Sequence, residues 1–203
     1  MKNKVLLLIS CLVLFMAAVI PGCNSIENVT NSSTKIIVDS ITGTDLTGET
    51  GATTVFSDVL YVDPDTGATT VFSDNAEAVI SARLLDPQQA SGTYYQDVII
   101  DQVDIQYSRT DGLSVEGKDV PYGFSQKVNI KVIAGSSSTL GFVILQHNAK
   151  LESPLVELIH IGQEQILKLE AKITFHGKDL AGNRVESVVG HISVWCSNFS
   201  NDT

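Results

Sequence analysis

Over its second half the chain alternates apolar and polar side chains with a period of two. In Asp97–Tyr107, Ile99, Val103, Ile105 and Tyr107 share one face, while Gln102, Asp104 and Gln106 share the other. Val128, Ile130, Val132 and Ala134 fall on one side of the next segment, and Leu140–Leu145 is a short apolar run. Leu167, Leu169, Ala171, Ile173 and Phe175 alternate with Lys168, Glu170, Lys172, Thr174 and His176, and Val185–Cys196 closes the chain in the same way. Such alternation predicts strands with one face in a core and one in water. Clusters of Gly, Asn, Asp and Ser separate the runs: Thr110-Asp111-Gly112, Gly135-Ser136-Ser137-Ser138 and Lys178-Asp179-Leu180-Ala181-Gly182-Asn183. These are turn formers. Pro121 cannot donate to a central ladder, so Asp119–Phe124 reads as an irregular crossover. Ser153-Pro154 could open one helical turn or bridge two sheets as a loop. Many short strands with no sustained helical period predict an all-β sandwich over residues 35–199.

The stretch TGATTVFSD occurs twice, at Thr50–Asp58 and Thr66–Asp74. Val59–Val62, the Pro64-containing turn and Ala68–Phe72 have the layout of a hairpin, with Gly67 free to take positive φ. Two copies are too few for a solenoid. The expected product is an extra strand or ribbon at a sheet edge or a sandwich end. Asp63-x-Asp65-x-Gly67 also matches the opening of a calcium loop, with Asp74 where a bidentate glutamate would stand. Asp63, Asp65 and Asp74 are therefore the metal candidates, weighed against an ordinary acidic turn.

The first residues change the picture of where this domain works. Lys2 and Lys4 precede an apolar run, Val5–Ile20, that Pro21-Gly22 ends. That is the layout of a secretory signal peptide, and the run is short for a membrane anchor. Ile20-Pro21-Gly22-Cys23 resembles the bacterial lipobox, and the resemblance implies cleavage before Cys23 and lipidation of Cys23. Asn24 in place of an aspartate implies the outer membrane. The expected organisation is a leader over 1–22, a polar tether over 23–34, the sandwich over 35–199 and a tail over 200–203. The formal net charge is −10, and loss of Lys2 and Lys4 makes it more negative. Such a surface repels nucleic acid, which is excluded as a partner. With Cys11 removed and Cys23 lipidated, only Cys196 remains. No intramolecular disulfide is then expected, and Cys196 reads as a buried thiol on the face of Ile192 and Val194.

No catalytic motif presents itself. His147, His160, His176 and His191 lie in no metal spacing, and the chain has neither a G-x-S-x-G elbow nor a phosphate loop. No cofactor and no enzymatic activity are expected, although a triad assembled by the fold would escape a motif search. A regular final hairpin would set residue 176 opposite residue 187. Tyr61, Tyr94, Tyr95, Tyr122 and Trp195 are the rings available to a sugar, with Tyr94-Tyr95 the best local pair.

Tyr107–Gly112, Asp119–Tyr122, Lys150–Leu155 and Ile173–Asn183, in that order, resemble an uncharacterised family of bacterial lipoproteins of the kind found in Geobacter-like deltaproteobacteria. The D-x-A-G-N turn at Asp179–Asn183 is similar to that of bacterial Ig-like domains. The resemblance implies an Ig-like or fibronectin-like antiparallel sandwich and no activity. Arg109 beside Asp111-Gly112 would pair with a carboxylate and tie a turn. The sequence therefore points to a lipid-anchored envelope protein acting as a structural or interaction module toward an envelope or extracellular protein. A carbohydrate- or calcium-binding module is the alternative.

Overall fold

The computed structural model describes residues 31–44, 50–89, 91–161 and 164–199. The leader, Cys23, the first part of the tether and the tail at 200–203 lie outside the described residues.

Eleven strands are described: β1 (Thr34–Thr44), β2 (Thr50–Ala52), β3 (Thr54–Asp58), β4 (Tyr61–Val62), β5 (Thr69–Thr70), β6 (Asp74–Leu84), β7 (Val98–Arg109), β8 (Phe124–Val132), β9 (Ser137–Leu145), β10 (Leu167–Asp179) and β11 (Arg184–Ser197). They build a four-stranded sheet in the order β2-β1-β6-β9, a five-stranded sheet in the order β3-β11-β10-β7-β8, and a small ribbon β4-β5. Side chains from both larger sheets fill one apolar core. Phe142 of β9 meets Phe175 of β10 edge-on at 5.8 Å between ring centroids. Tyr107 of β7 donates its hydroxyl to the Ile144 carbonyl of β9 at 2.6 Å. The phenol thus crosses the core with its polar tip satisfied. The fold is the expected all-β sandwich.

The alternation read from the sequence fixes these strands. Leu167, Leu169, Ala171, Ile173 and Phe175 are buried, while Lys168, Glu170 and Lys172 are exposed. Strand β6 has the same logic with smaller residues: Ala76, Ala78, Ile80 and Ala82 face the core, and Asn75, Glu77 and Arg83 face water. Between β10 and both its neighbours the register shifts near Gly177. A Cβ on Gly177 would stand 2.6 Å from the Ile99 carbonyl oxygen, so the close approach of β7 requires glycine there.

Two features depart from the expected layout. One pairing is parallel: β3 runs alongside β11, with Val55 opposite Val194 and Ser57 opposite Cys196. The domain also starts before residue 35. Asn31 bridges to Arg184, the Ser32 N–H donates to the Arg184 carbonyl at 3.0 Å, and Ser32 and Thr34 are buried. The end of the expected tether is therefore drawn onto the sandwich by backbone hydrogen bonds that its polar composition does not disclose.

The two copies of the repeat form different structures. The first supplies β2 and the edge strand β3; the second supplies β5 and the first residue of β6. Identical residues diverge because β3 can lie against β11, whereas Ala68–Phe72 folds back on Tyr61–Val62.

Candidate functional site

The acidic turn is tied by its own backbone. Asp63 Oδ1 accepts the N–H groups of Asp65 and Thr66, both at 2.9 Å. Those bonds hold the exposed Asp63 carboxyl below its ordinary range. Gly67, at φ +68°, donates to the Asp63 carbonyl. Asp74 is engaged elsewhere, at the buried head of β6. Among the described residues no group of three or more His, Cys, Asp or Glu side chains is gathered as a metal site. The three calcium candidates are not brought together as one ligand set.

Asp74 instead faces Lys150, which ends a one-turn helix, His147–Lys150. The Lys150 Nζ lies 2.9 Å from Asp74 Oδ2 and 3.1 Å from Asp74 Oδ1, with side-chain exposures of 1% and 16%. Nζ also donates to the Asp58 carbonyl at 2.8 Å. Burial pushes the Asp74 carboxyl up, against the opposing pull of Lys150. Cys196 is fully buried close by, and burial pushes its thiol up to about 12. A thiol so far from ionisation packs as a small hydrophobe.

On the outer face of the five-stranded sheet, three strands bring together Asp104 of β7, His176 of β10 and Ser187 of β11. His176 Nε2 lies 2.7 Å from Asp104 Oδ2, and Ser187 Oγ lies 2.8 Å from His176 Nδ1. Burial alone would raise the Asp104 carboxyl, but hydrogen bonds from Ser125, Gln102 and His176 outweigh it and hold the group below its ordinary range. An ionised Asp104 only accepts, so Nε2 donates to it, and in a neutral imidazole Nδ1 accepts from the serine hydroxyl. His176 and Ser187 line a shallow cavity of about 240 Å³ with Asp101, Lys178 and Arg184. A serine, a base and an orienting carboxylate are thus connected. Backbone N–H groups within a sheet point along its plane, however, so a substrate on this face meets no backbone oxyanion donors from the strands beneath it.

A cavity of about 690 Å³ lies at one end of the sandwich. Ser81, Arg83, Asp86, Gln89, Ser91 and Ser137 contribute its polar wall. The chain leaves it through Gly92 into the 3-10 turn Tyr94–Gln96. Tyr94 and Tyr95 are 67% and 65% exposed, at 5.8 Å between ring centroids. Lys131 stands over the Tyr94 ring at 4.7 Å and pairs with Asp97 at 2.7 Å. Asp97 also accepts the Ala134 N–H; these bonds overcome burial and hold its carboxyl below its ordinary range. Of the other rings, Tyr61 meets Phe72, Trp195 meets Phe56 and Lys168, and Tyr122, largely exposed, lies near Gly117.

The motifs carried by the family resemblance tie turns. Arg109 grips Asp111 through Nε at 3.1 Å and a terminal nitrogen at 2.7 Å. Asp179 Oδ1 accepts the N–H groups of Ala181 and Asn183 at 3.0 and 2.8 Å, and its Oδ2 accepts the Asn183 side-chain amide at 2.9 Å.

No family model matches the sequence, and no curated protein is similar to it. Among solved structures, the CooA pilin subunit from enterotoxigenic Escherichia coli aligns at 12% identity over 81% of this chain and 97% of its own, with a TM-score of 0.23. No helix among the described residues is long and apolar enough to cross a membrane.

The alternating pattern had set residue 176 near 187; it carried no signal for Asp104, which reaches His176 only through the pairing of β7 with β10. Lys150 was legible as part of the Lys150–Leu155 motif and not as a core residue, because a lysine in the core is rare.

Proposed function

We propose that this protein is a lipid-anchored component of the bacterial outer membrane whose sandwich acts as a structural or protein-interaction module. The observation that carries the reading is Cys23, at the end of an apolar leader and a short polar stretch ahead of the sandwich. Acylation there would hold the domain at the membrane surface, provided that more than one chain is attached. The strongly acidic surface favours a protein or glycan partner over nucleic acid or anionic lipid. The test is membrane fractionation and protease shaving of cells carrying the wild type or Cys23→Ala. Membrane association lost in Cys23→Ala supports the anchor. A variant that stays in the membrane fraction sinks it. Shaving of the wild type places the partner outside the cell, and protection places it in the periplasm.

A second reading is favoured by Tyr94 and Tyr95. Two exposed rings beside a polar cavity suit a sugar, whose C–H faces stack on aromatic rings while its hydroxyls meet Ser, Gln, Asp and Arg side chains. Glycan-array binding that is lost in Tyr94→Ala/Tyr95→Ala, with folding intact, would assign the module to carbohydrate.

A further inference from the structure

We propose that Lys150 and Asp74 are the two ends of an intramolecular amide cross-link, formed by the folded protein itself. Lys150 Nζ stands 2.9 and 3.1 Å from the two oxygens of one carboxyl, so it confronts the carboxyl carbon between them. The Asp58 carbonyl, 2.8 Å from Nζ, fixes the amine in that position. Ser57 Oγ lies beside the same carboxyl, whose Oδ2 is met by Lys150 Nζ at 2.9 Å. Leu145, opposite Asp74 in the β6–β9 ladder, and Cys196 are buried beside them.

A buried ion pair loses much of the hydration of two charges, and their attraction recovers that loss only when the remaining lone pairs and protons are satisfied. Burial favours the neutral acid over the carboxylate at Asp74, and a proton passed from Lys150 Nζ to that carboxylate across their 2.9 Å contact leaves the neutral amine beside it. Those are the forms that condense. The free amine attacks Cγ of the carboxylic acid, a C–N bond forms, and the C–OH bond breaks. The hydroxyl leaves with an amine proton as water, and the Ser57 hydroxyl is placed to pass that proton. An ammonium–carboxylate pair becoming an amide and water balances in atoms and charge. No oxidant, metal or cofactor enters. Holding both groups in contact supplies the effective concentration that makes such a step unimolecular.

The product ties the head of β6 to the helix that leads toward β10, across 76 residues of sequence. It would serve as a covalent staple in a chain whose described part has one buried cysteine and no disulfide partner for it.

The test is mass spectrometry of the purified full chain after reduction, unfolding and trypsin digestion. The sequence has no lysine or arginine between Lys35 and Arg83, or between Lys131 and Lys150. A cross-link therefore yields residues 36–83 joined to residues 132–168, uncut at Lys150 and lighter than their sum by one water. That species, absent from Lys150→Met, is the expected result. Separate peptides 36–83 and 132–150 of full mass overturn the proposal and leave a plain ion pair. So does peptide 36–83 lighter by one water with 132–150 released free, which would be a succinimide at Asp74-Asn75. The wild-type digest decides the matter even if Lys150→Met fails to fold.

Discussion

Replacing Asp179 by alanine tests whether the Asp179–Asn183 turn is a structural clamp. Asp179 is 4% exposed, and its carboxylate accepts two backbone N–H groups and the Asn183 amide, with the Ser32 side chain as a further donor. A hydrogen bond to a charged group contributes about 1.5–3 kcal/mol, but water can reach part of this turn after truncation. Ala181 and Gly182 are exposed, so the loss falls well short of the sum of these bonds. Asp179→Ala should cost about 3 kcal/mol, and Asp179→Asn, which keeps one acceptor, about half of that. For a domain of this size the alanine variant should melt roughly 6–12 °C lower. Urea unfolding followed by the fluorescence of Trp195, the chain's one tryptophan, measures the difference. The pH dependence gives a second check. Burial alone would raise the carboxyl, but bonds from Asn183, Ser32 and the turn backbone hold it below its ordinary value of 3.8. Because the folded value is depressed, the stabilisation is present in full above the unfolded value and is lost as pH falls through the lower, folded one. The gap between wild type and Asp179→Ala should therefore stay constant from neutral pH down to about pH 5 and close below about pH 4. A cost under about 1 kcal/mol, or a gap that persists unchanged in acid, would refute the clamp.

Further predictions concern strand positions in both sheets. Gly177→Ala sets a Cβ against the Ile99 carbonyl oxygen, and backbone yields less readily than a side chain, so it should cost about 2–3 kcal/mol. Gly141→Ala on β9 meets nothing within 4 Å and should be neutral or stabilising by up to about 1 kcal/mol; urea midpoints compare the two. At the Asp104–His176–Ser187 trio, a fluorophosphonate probe should leave Ser187 unlabelled, since no backbone donors await an oxyanion. Labelling of Ser187 that disappears in His176→Ala, read by peptide mass, would move the protein to the hydrolases.

The strands of the five-stranded sheet were legible because β7, β10 and β11 alternate large apolar residues with charged ones, which periodicity detects directly. Strand β6 was not, because its core face is three alanines and an isoleucine, and alanine carries little strand preference. The parallel pairing of β3 with β11 is a long-range contact that no local signal encodes. At the level of sites, Asp63 read first as a turn residue and only second as a ligand. Asp74 was grouped with it by spacing alone, and its true neighbour is 76 positions away. The trio was half legible: hairpin register set His176 across from Ser187, while Asp104 arrives through a separate strand pairing.

The parallel run of β3 beside β11 also decides how this domain bears mechanical load. Asn31 and Arg184 stand together in parallel register, and β1 and β11 start from that same end. Traction on the chain before Asn31, resisted at the far end of β11, draws these strands along their lengths in opposite senses. The ladder Thr54–Asp58 against Ser193–Ser197 is then loaded in shear, so its bonds must fail together and not one after another as in a peeled hairpin. A domain pulled from its N-terminal side and gripped at its C-terminal end is strongest along that line.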